Sequence, residues 1–230
     1  MKRAIPLLLL LFSIAAGTAS AQFLTLKAGA GFSSHYTDAR LIGAYKIGLG
    51  YEYDLTGRLT IEPSLNFSAK GWKAPDQTVY VRDAAGNVMT HELTGEPLTG
   101  VMSVSSTAYY VQLPILLGYY LPTSRTSYIK LGAGPYAAYG VAGKMTVKGD
   151  TERSGADMYY YSEKTFDEPG THRFDAGLVL FAGYEFNRNF NCGLEADLGL
   201  TKFNATSRNV SLMLSFTYRF RPAAPAPVAF

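Results

Sequence analysis

Between residues 23 and 220 the chain alternates apolar with polar side chains at a period of two, the spacing of a β-strand with one apolar face. The pattern fills eight segments: 23–32, 41–54, 58–70, 108–121, 127–141, 173–186, 190–201 and 209–220. In the second, Tyr45, Ile47, Leu49, Tyr51 and Tyr53 alternate with Lys46, Gly48, Gly50, Glu52 and Asp54. In the seventh, Phe190, Cys192, Leu194, Ala196 and Leu198 alternate with Asn191, Gly193, Glu195, Asp197 and Gly199. No Asp, Glu, Lys or Arg enters the apolar register of any segment, although 17% of the chain is charged. A soluble sandwich alternates too, but its strands run to about 5 or 6 residues. Crossing a bilayer as a tilted strand takes about 9 to 11. The pattern therefore predicts an all-β fold, a transmembrane antiparallel up-and-down β-barrel of about eight strands, apolar outside and polar inside. Ten strands is the alternative, because 77–82 and 101–105 also have strand character and are expected either to pair as a hairpin or to extend their neighbours above the membrane.

The connections alternate in length. Short turns at 55–57, 122–126 and 187–189 contrast with longer or more polar stretches at 33–40, 71–107, 142–172 and 202–208. In outer-membrane barrels the periplasmic turns are the short ones, so both ends of the strand region are expected on that side. Aromatic residues gather near the segment ends: Tyr51, Tyr53, Tyr119, Tyr184, Phe186, Phe190, Tyr218 and Phe220 near the turns, and Phe32, Phe67, Trp72, Tyr109 and Phe174 near the loops. Two girdles at the membrane boundaries are expected. Pro63, Pro114 and Pro135 fall inside strands of a barrel that has no free edge to hide a missing N–H, and β-bulges are expected to absorb them.

Ahead of the strands, residues 1–21 read as a secretory signal peptide. Lys2 and Arg3 precede an apolar run too short to span a membrane, and Ala19-Ser20-Ala21 suits cleavage after Ala21. Residues 22–220 then form the barrel domain, and the Pro- and Ala-rich stretch 221–230 reads as a periplasmic tail. Removing Lys2 and Arg3 from 21 basic residues leaves 19 against 18 acidic, a balance that gives no support to a nucleic-acid partner, which would want a basic face. Cys192 is the one cysteine, so neither an intrachain disulfide nor a cysteine zinc site is available, and no cofactor is expected.

Several stretches together look familiar: Gly48 to Tyr53, Ile61-Glu-Pro-Ser-Leu-Asn-Phe to Gly71, Tyr110-Val-Gln-Leu-Pro-Ile to Leu117, Gly132-Ala-Gly-Pro-Tyr136, and Phe174 to Leu180. With them the whole mature chain resembles the bacterial outer-membrane β-barrel family labelled porin-family or PorT-like, and more distantly the OmpX and OmpA type. The resemblance implies that the three prolines are at home in such strands. It also implies that the final strand, Phe216-Thr-Tyr-Arg-Phe220, is read by the outer-membrane assembly machinery, with outer-membrane lipid as the surroundings.

The inward register carries Lys27, Lys46, Lys70, Lys130 and Arg219 together with Glu52, Glu62, Asp175, Glu185, Glu195 and Asp197. An eight-stranded lumen is just wide enough for side chains to fill it. Unpaired buried charge is costly, so these groups are expected to pair as a structural network that plugs the lumen, not to line a pore. The loops 71–107 and 142–172, with Asp150-Thr-Glu-Arg and Tyr159-Tyr-Tyr161, suit contact with an extracellular protein or glycan. The expected role is thus structural or adhesive and non-enzymatic, at the cell surface, with transport of a small solute or ions as the alternative. A lipid-modifying enzyme ranks third. His35, His91 and His172, all expected in loops, with Ser34, Asp38 and Asp175, show no spacing that assembles nucleophile, base and acid.

Overall fold

The computed structural model describes residues 22–36, 40–83, 85–150, 158–187, 189–205 and 207–220. The expected signal peptide, the tail 221–230 and Asp38 lie outside the described residues, as do Thr151, Glu152 and Arg153. The strands are β1 (Gln22–His35), β2 (Ile42–Thr56), β3 (Leu59–Lys73), β4 (Gln77–Tyr80), β5 (Thr99–Pro122), β6 (Tyr128–Asp150), β7 (Met158–Glu163), β8 (Phe174–Phe186), β9 (Phe190–Gly199) and β10 (Asn209–Phe220). All pairings are antiparallel, in the order β4-β5-β3-β2-β1-β10-β9-β8-β6-β7, and a further β5–β6 pairing closes the sheet. The closed ring therefore has eight strands, β1, β2, β3, β5, β6, β8, β9 and β10, while β4 and β7 lie outside it.

Alternation sets which face each side chain takes. Leu26, Ile47, Leu49, Leu65, Leu117, Leu131, Leu180, Leu194 and Leu212 are exposed on the outside, while Lys27, Lys46, Glu62, Lys70, Lys130 and Asp197 are buried inside. The outside is apolar and the inside polar, the reverse of a water-soluble fold and the pattern that lipid demands. Outward aromatics meet at the turn end: Tyr184–Phe186 at 4.7 Å, Phe186–Phe190 at 6.3 Å, Phe190–Phe216 at 6.0 Å and Tyr218–Phe220 at 4.9 Å. At the loop end Phe67 stacks on Tyr109 at 5.8 Å. The β8–β9 turn begins at Asn187 with φ 51°, a left-handed conformation that Asn tolerates better than most residues.

The structure differs from the sequence reading in four places. First, the supposed loops 71–107 and 142–172 contain stretches of strand. β5 begins at Thr99 and β6 runs to Asp150, in register from Ser103↔Lys148 to Thr107↔Lys144, while β4 pairs with the start of β5 and β7 with the end of β6. The ten-strand alternative, in which 77–82 and 101–105 pair or extend their neighbours, holds for β4 and the start of β5. The extension of β6 and its pairing with β7 went unread, because above the membrane a strand no longer needs an apolar face. Second, the prolines are absorbed by gaps in the ladder and not by bulges. The β2–β3 register holds across Pro63, β3–β5 across Pro114 and β5–β6 across Pro135, whereas the register shifts fall at Asp54/Thr56 and Tyr109/Tyr110. Third, His35 ends β1 inside the lumen and is buried. Fourth, Trp72 is not in the loop-side girdle. Its ring faces His35 across 5.3 Å, on the inward register of β3.

Candidate functional site

The eleven charged residues picked out on the inward register converge in two clusters. At the turn end, Lys27 reaches Glu62 at 3.1 Å, and Lys130 bridges Glu62 at 2.9 Å and Glu52 at 2.7 Å. Arg219 pairs with Glu52 on one side and with Glu185, at 2.8 Å, on the other. Tyr120 donates its hydroxyl to Glu52 at 2.9 Å and accepts from Arg219, and Thr25 donates to Glu62 at 3.1 Å. Three cations thus meet three carboxylates, and the cluster is neutral.

Toward the loop end, Lys46 holds Glu195 and, at 2.9 Å, Asp197. Lys70 lies 3.1 Å from Asp197 and 3.5 Å from Asp175, with its ammonium 4.4 Å from the centre of the Tyr136 ring. Gln112 donates to Asp197 at 3.2 Å, Tyr136 to Asp175 at 3.0 Å and Ser215 to Glu195 at 3.4 Å. This cluster sets two cations against three carboxylates. Tyr110, Gln112, Tyr120, Tyr136 and Thr25 went unnoticed in the sequence as partners of these charges. Their position on the inward register was the available signal.

Around the pairs stand buried polar atoms with no hydrogen-bond partner among the described residues, including Thr60 Oγ1, Ser64 Oγ, Asn66 Oδ1, Ser68 Oγ, Gln112 Oε1 and Ser211 Oγ. The lumen is thus lined by polar groups and is not an apolar core.

Above the loop-side cluster stands a lid of buried aromatic rings. Phe166, from the stretch between β7 and β8, meets Tyr110 edge-on at 5.9 Å and Phe203 at 6.3 Å; Phe203 packs on His35 at 5.1 Å. Gly140 leaves the space for Phe166, since a Cβ there would stand 2.1 Å from its ring. Phe166 lies in the segment 142–172, read from sequence as a contact loop, and Phe203 in the connection 202–208. Their burial, together with that of Tyr110, Ala108 and Ala138, turns those segments back over the lumen. The histidines do not assemble a catalytic group: His35 is in the lid, while His172 is exposed and bound through its backbone N–H to Phe203. His91 sits in the hairpin region 81–98, hydrogen-bonded through its own N–H to Glu96. Among the described residues no group of His, Cys, Asp and Glu is arranged to hold a metal ion.

Beyond the lid, β4, the start of β5, the end of β6 and β7 continue one side of the ring as a four-stranded wall. Lys73, whose ammonium lies 3.5 Å from Asp76, and Arg40, bonded to Asp76 at 2.6 Å, tie its base to the β1–β2 connection.

Residues 9–205 match the family model described as outer membrane protein beta-barrel domain. Among solved structures the chain is similar to Ail, the attachment invasion locus protein of Yersinia pestis, at 13% identity, covering 86% of this chain and 97% of that one with a TM-score of 0.38. It is similar to Neisserial surface protein A at 12% identity, covering 88% and 99%, also with a TM-score of 0.38. The translocator domain of the autotransporter NalP from Neisseria meningitidis is 14% identical over 94% of this chain and 96% of that one, with a TM-score of 0.25. No curated protein matches the chain.

Proposed function

Because the chain belongs to the outer membrane protein beta-barrel domain family and sits in a bacterial outer membrane, we propose that it is a closed, non-enzymatic barrel that anchors a projecting β-wall as a contact surface for an extracellular protein or glycan. The observation that carries this reading is the length of β5 and β6, 24 and 23 residues. A strand needs only about 9 to 11 to cross the membrane, so the remainder extends beyond the hydrocarbon. Short turns at the opposite end support a wall that faces outside the cell. The ion-paired lumen and the aromatic lid support an anchor that does not conduct. The last strand, β10, is the segment offered to the assembly machinery.

The test is adhesion. Cells displaying the protein should bind protein- or glycan-coated surfaces. A variant with residues 77–104 and 146–163 replaced by short Gly-Ser linkers should reach the membrane, migrate faster unboiled than boiled in detergent gels, and lose that binding. Equal adhesion by the two would sink the reading.

Transport of a small solute or ions is the second reading, favoured by the unpartnered polar atoms in the lumen. Single-channel recording separates the two. The closed barrel predicts no steady conductance from wild type. A steady wild-type conductance lost on filling the lumen would establish transport.

A further inference from the structure

At the turn end the lumen opens into a recess of about 370 Å³ whose walls include Phe23, Asp54, Tyr120, Tyr128, Glu185 and Arg219. That volume lies in the range of small-ligand sites. Two features of the walls define the chemistry they accept. The rings already cradle a delocalised cation: the Arg219 guanidinium carbon lies 5.3 Å from the centre of Phe23 and 5.5 Å from that of Tyr120, and Tyr128 meets Tyr120 edge-on at 6.0 Å. Faces of aromatic rings attract cations through their quadrupole.

The second feature is a charge imbalance. Arg219, Lys130 and Lys27 are matched by Glu52, Glu62 and Glu185. Asp54 stands two residues beyond Glu52 on the same inward register and is a fourth carboxylate. It is exposed at the mouth, and among the described residues no cation forms an ion pair with it. A recess with aromatic walls, one carboxylate outside the ion pairs and an opening to solvent is complementary to a compact positive group carried on a short carbon chain.

We propose that the turn-end recess binds a small organic ammonium compound, with its amine against Asp54 and its carbon chain along Tyr128 and Tyr120. An ammonium offers three donors to the carboxylate, and a charge-assisted hydrogen bond is shorter and stronger than a neutral one.

Calorimetric titration of the mature full-length protein with spermidine tests this. The barrel is held in a maltoside detergent, whose headgroup carries no competing ammonium. One saturable site per chain is expected, weakened about tenfold by Asp54→Asn, the scale of one lost charge-assisted contact. Tyr128→Leu should weaken it as well. Asp76→Asn, which removes a carboxylate at the opposite end, should leave binding unchanged. The idea is overturned if the folded wild type, identified by its unboiled gel mobility, shows no saturable heat. It is equally overturned if Asp54→Asn binds as wild type does, or if Asp76→Asn weakens binding as much as Asp54→Asn, which would mean diffuse attraction.

Discussion

Lys70 is 1% exposed and lies between Asp197 and Asp175, so the two carboxylates it serves have no solvent to fall back on. Replacing it with Met leaves one cation for three carboxylates in the loop-side cluster. The expected loss is about 3 to 5 kcal/mol, the scale for breaking a buried pair by removing one partner. Urea unfolding in micelles measures it, and Lys70→Met combined with Asp175→Asn should recover part of the loss, because the second change removes the carboxylate left over. A neutral single variant would mean that Lys70 does not hold the cluster.

At the same scale, Asp83 in the hairpin region 81–98 accepts N–H bonds from Asn87 at 2.8 Å and Ala85 at 3.0 Å. The Asn87 hydrogen bond, foremost among these contacts, holds its carboxyl below the usual carboxylate range. A depressed carboxylate contributes order above the unfolded value of about 3.9 and loses it as pH falls through the folded one. The Asn87 amide resonance should therefore hold its position from neutral pH down past the ordinary carboxylate range and shift only below it. A midpoint at the ordinary Asp value would contradict the turn geometry.

Among the elements, the lid joins segments that the chain keeps far apart: Phe166 before β8 and Phe203 before β10 meet over His35 and Trp72. Trp72 is the one tryptophan, which makes its emission a clean reporter. Phe203→Ala should expose the His35–Trp72 pair and shift that emission to the red, with unboiled gel mobility unchanged. An unmoved spectrum would mean that the lid is held without Phe203. In the wall of the ring, Gly134 allows β6 to approach β5 so closely that a Cβ would stand 1.9 Å from the Ile115 carbonyl oxygen. Gly134→Val is expected to prevent assembly of a compact barrel, read as loss of the fast-migrating form.

For the whole molecule, the boundary between membrane and wall can be mapped by charge. Leu180, exposed at the middle of β8, should cost about 2 to 4 kcal/mol when replaced by Arg. Ser103, on β5 beyond the Phe67–Tyr109 stack, should accept Arg with almost no change in unfolding free energy. Equal costs at the two positions would place the wall within the hydrocarbon.

The period-two alternation was enough to determine the eight ring strands and which side chains face in. Lipid outside and polar groups inside force one answer at every second residue, so Lys27, Lys46, Lys70, Lys130, Arg219 and their six carboxylates could be identified on the inward register from the sequence alone. Where that constraint lapses, so did the reading. Beyond the membrane the start of β5 was legible only as an alternative, and the extension of β6, carrying Thr and Lys on a face that no longer has to be apolar, looked like a loop. Only the tertiary structure decided which cation meets which carboxylate, because each ion pair in the lumen joins residues at least 34 positions apart, from Arg219 and Glu185 to Arg219 and Glu52, 167 apart. The lid and the turn-end recess depend on closure of the ring in the same way: Phe166, Phe203, His35 and Trp72, and likewise Phe23, Asp54, Tyr128 and Arg219, become neighbours only when β1 pairs with β10 and β5 with β6.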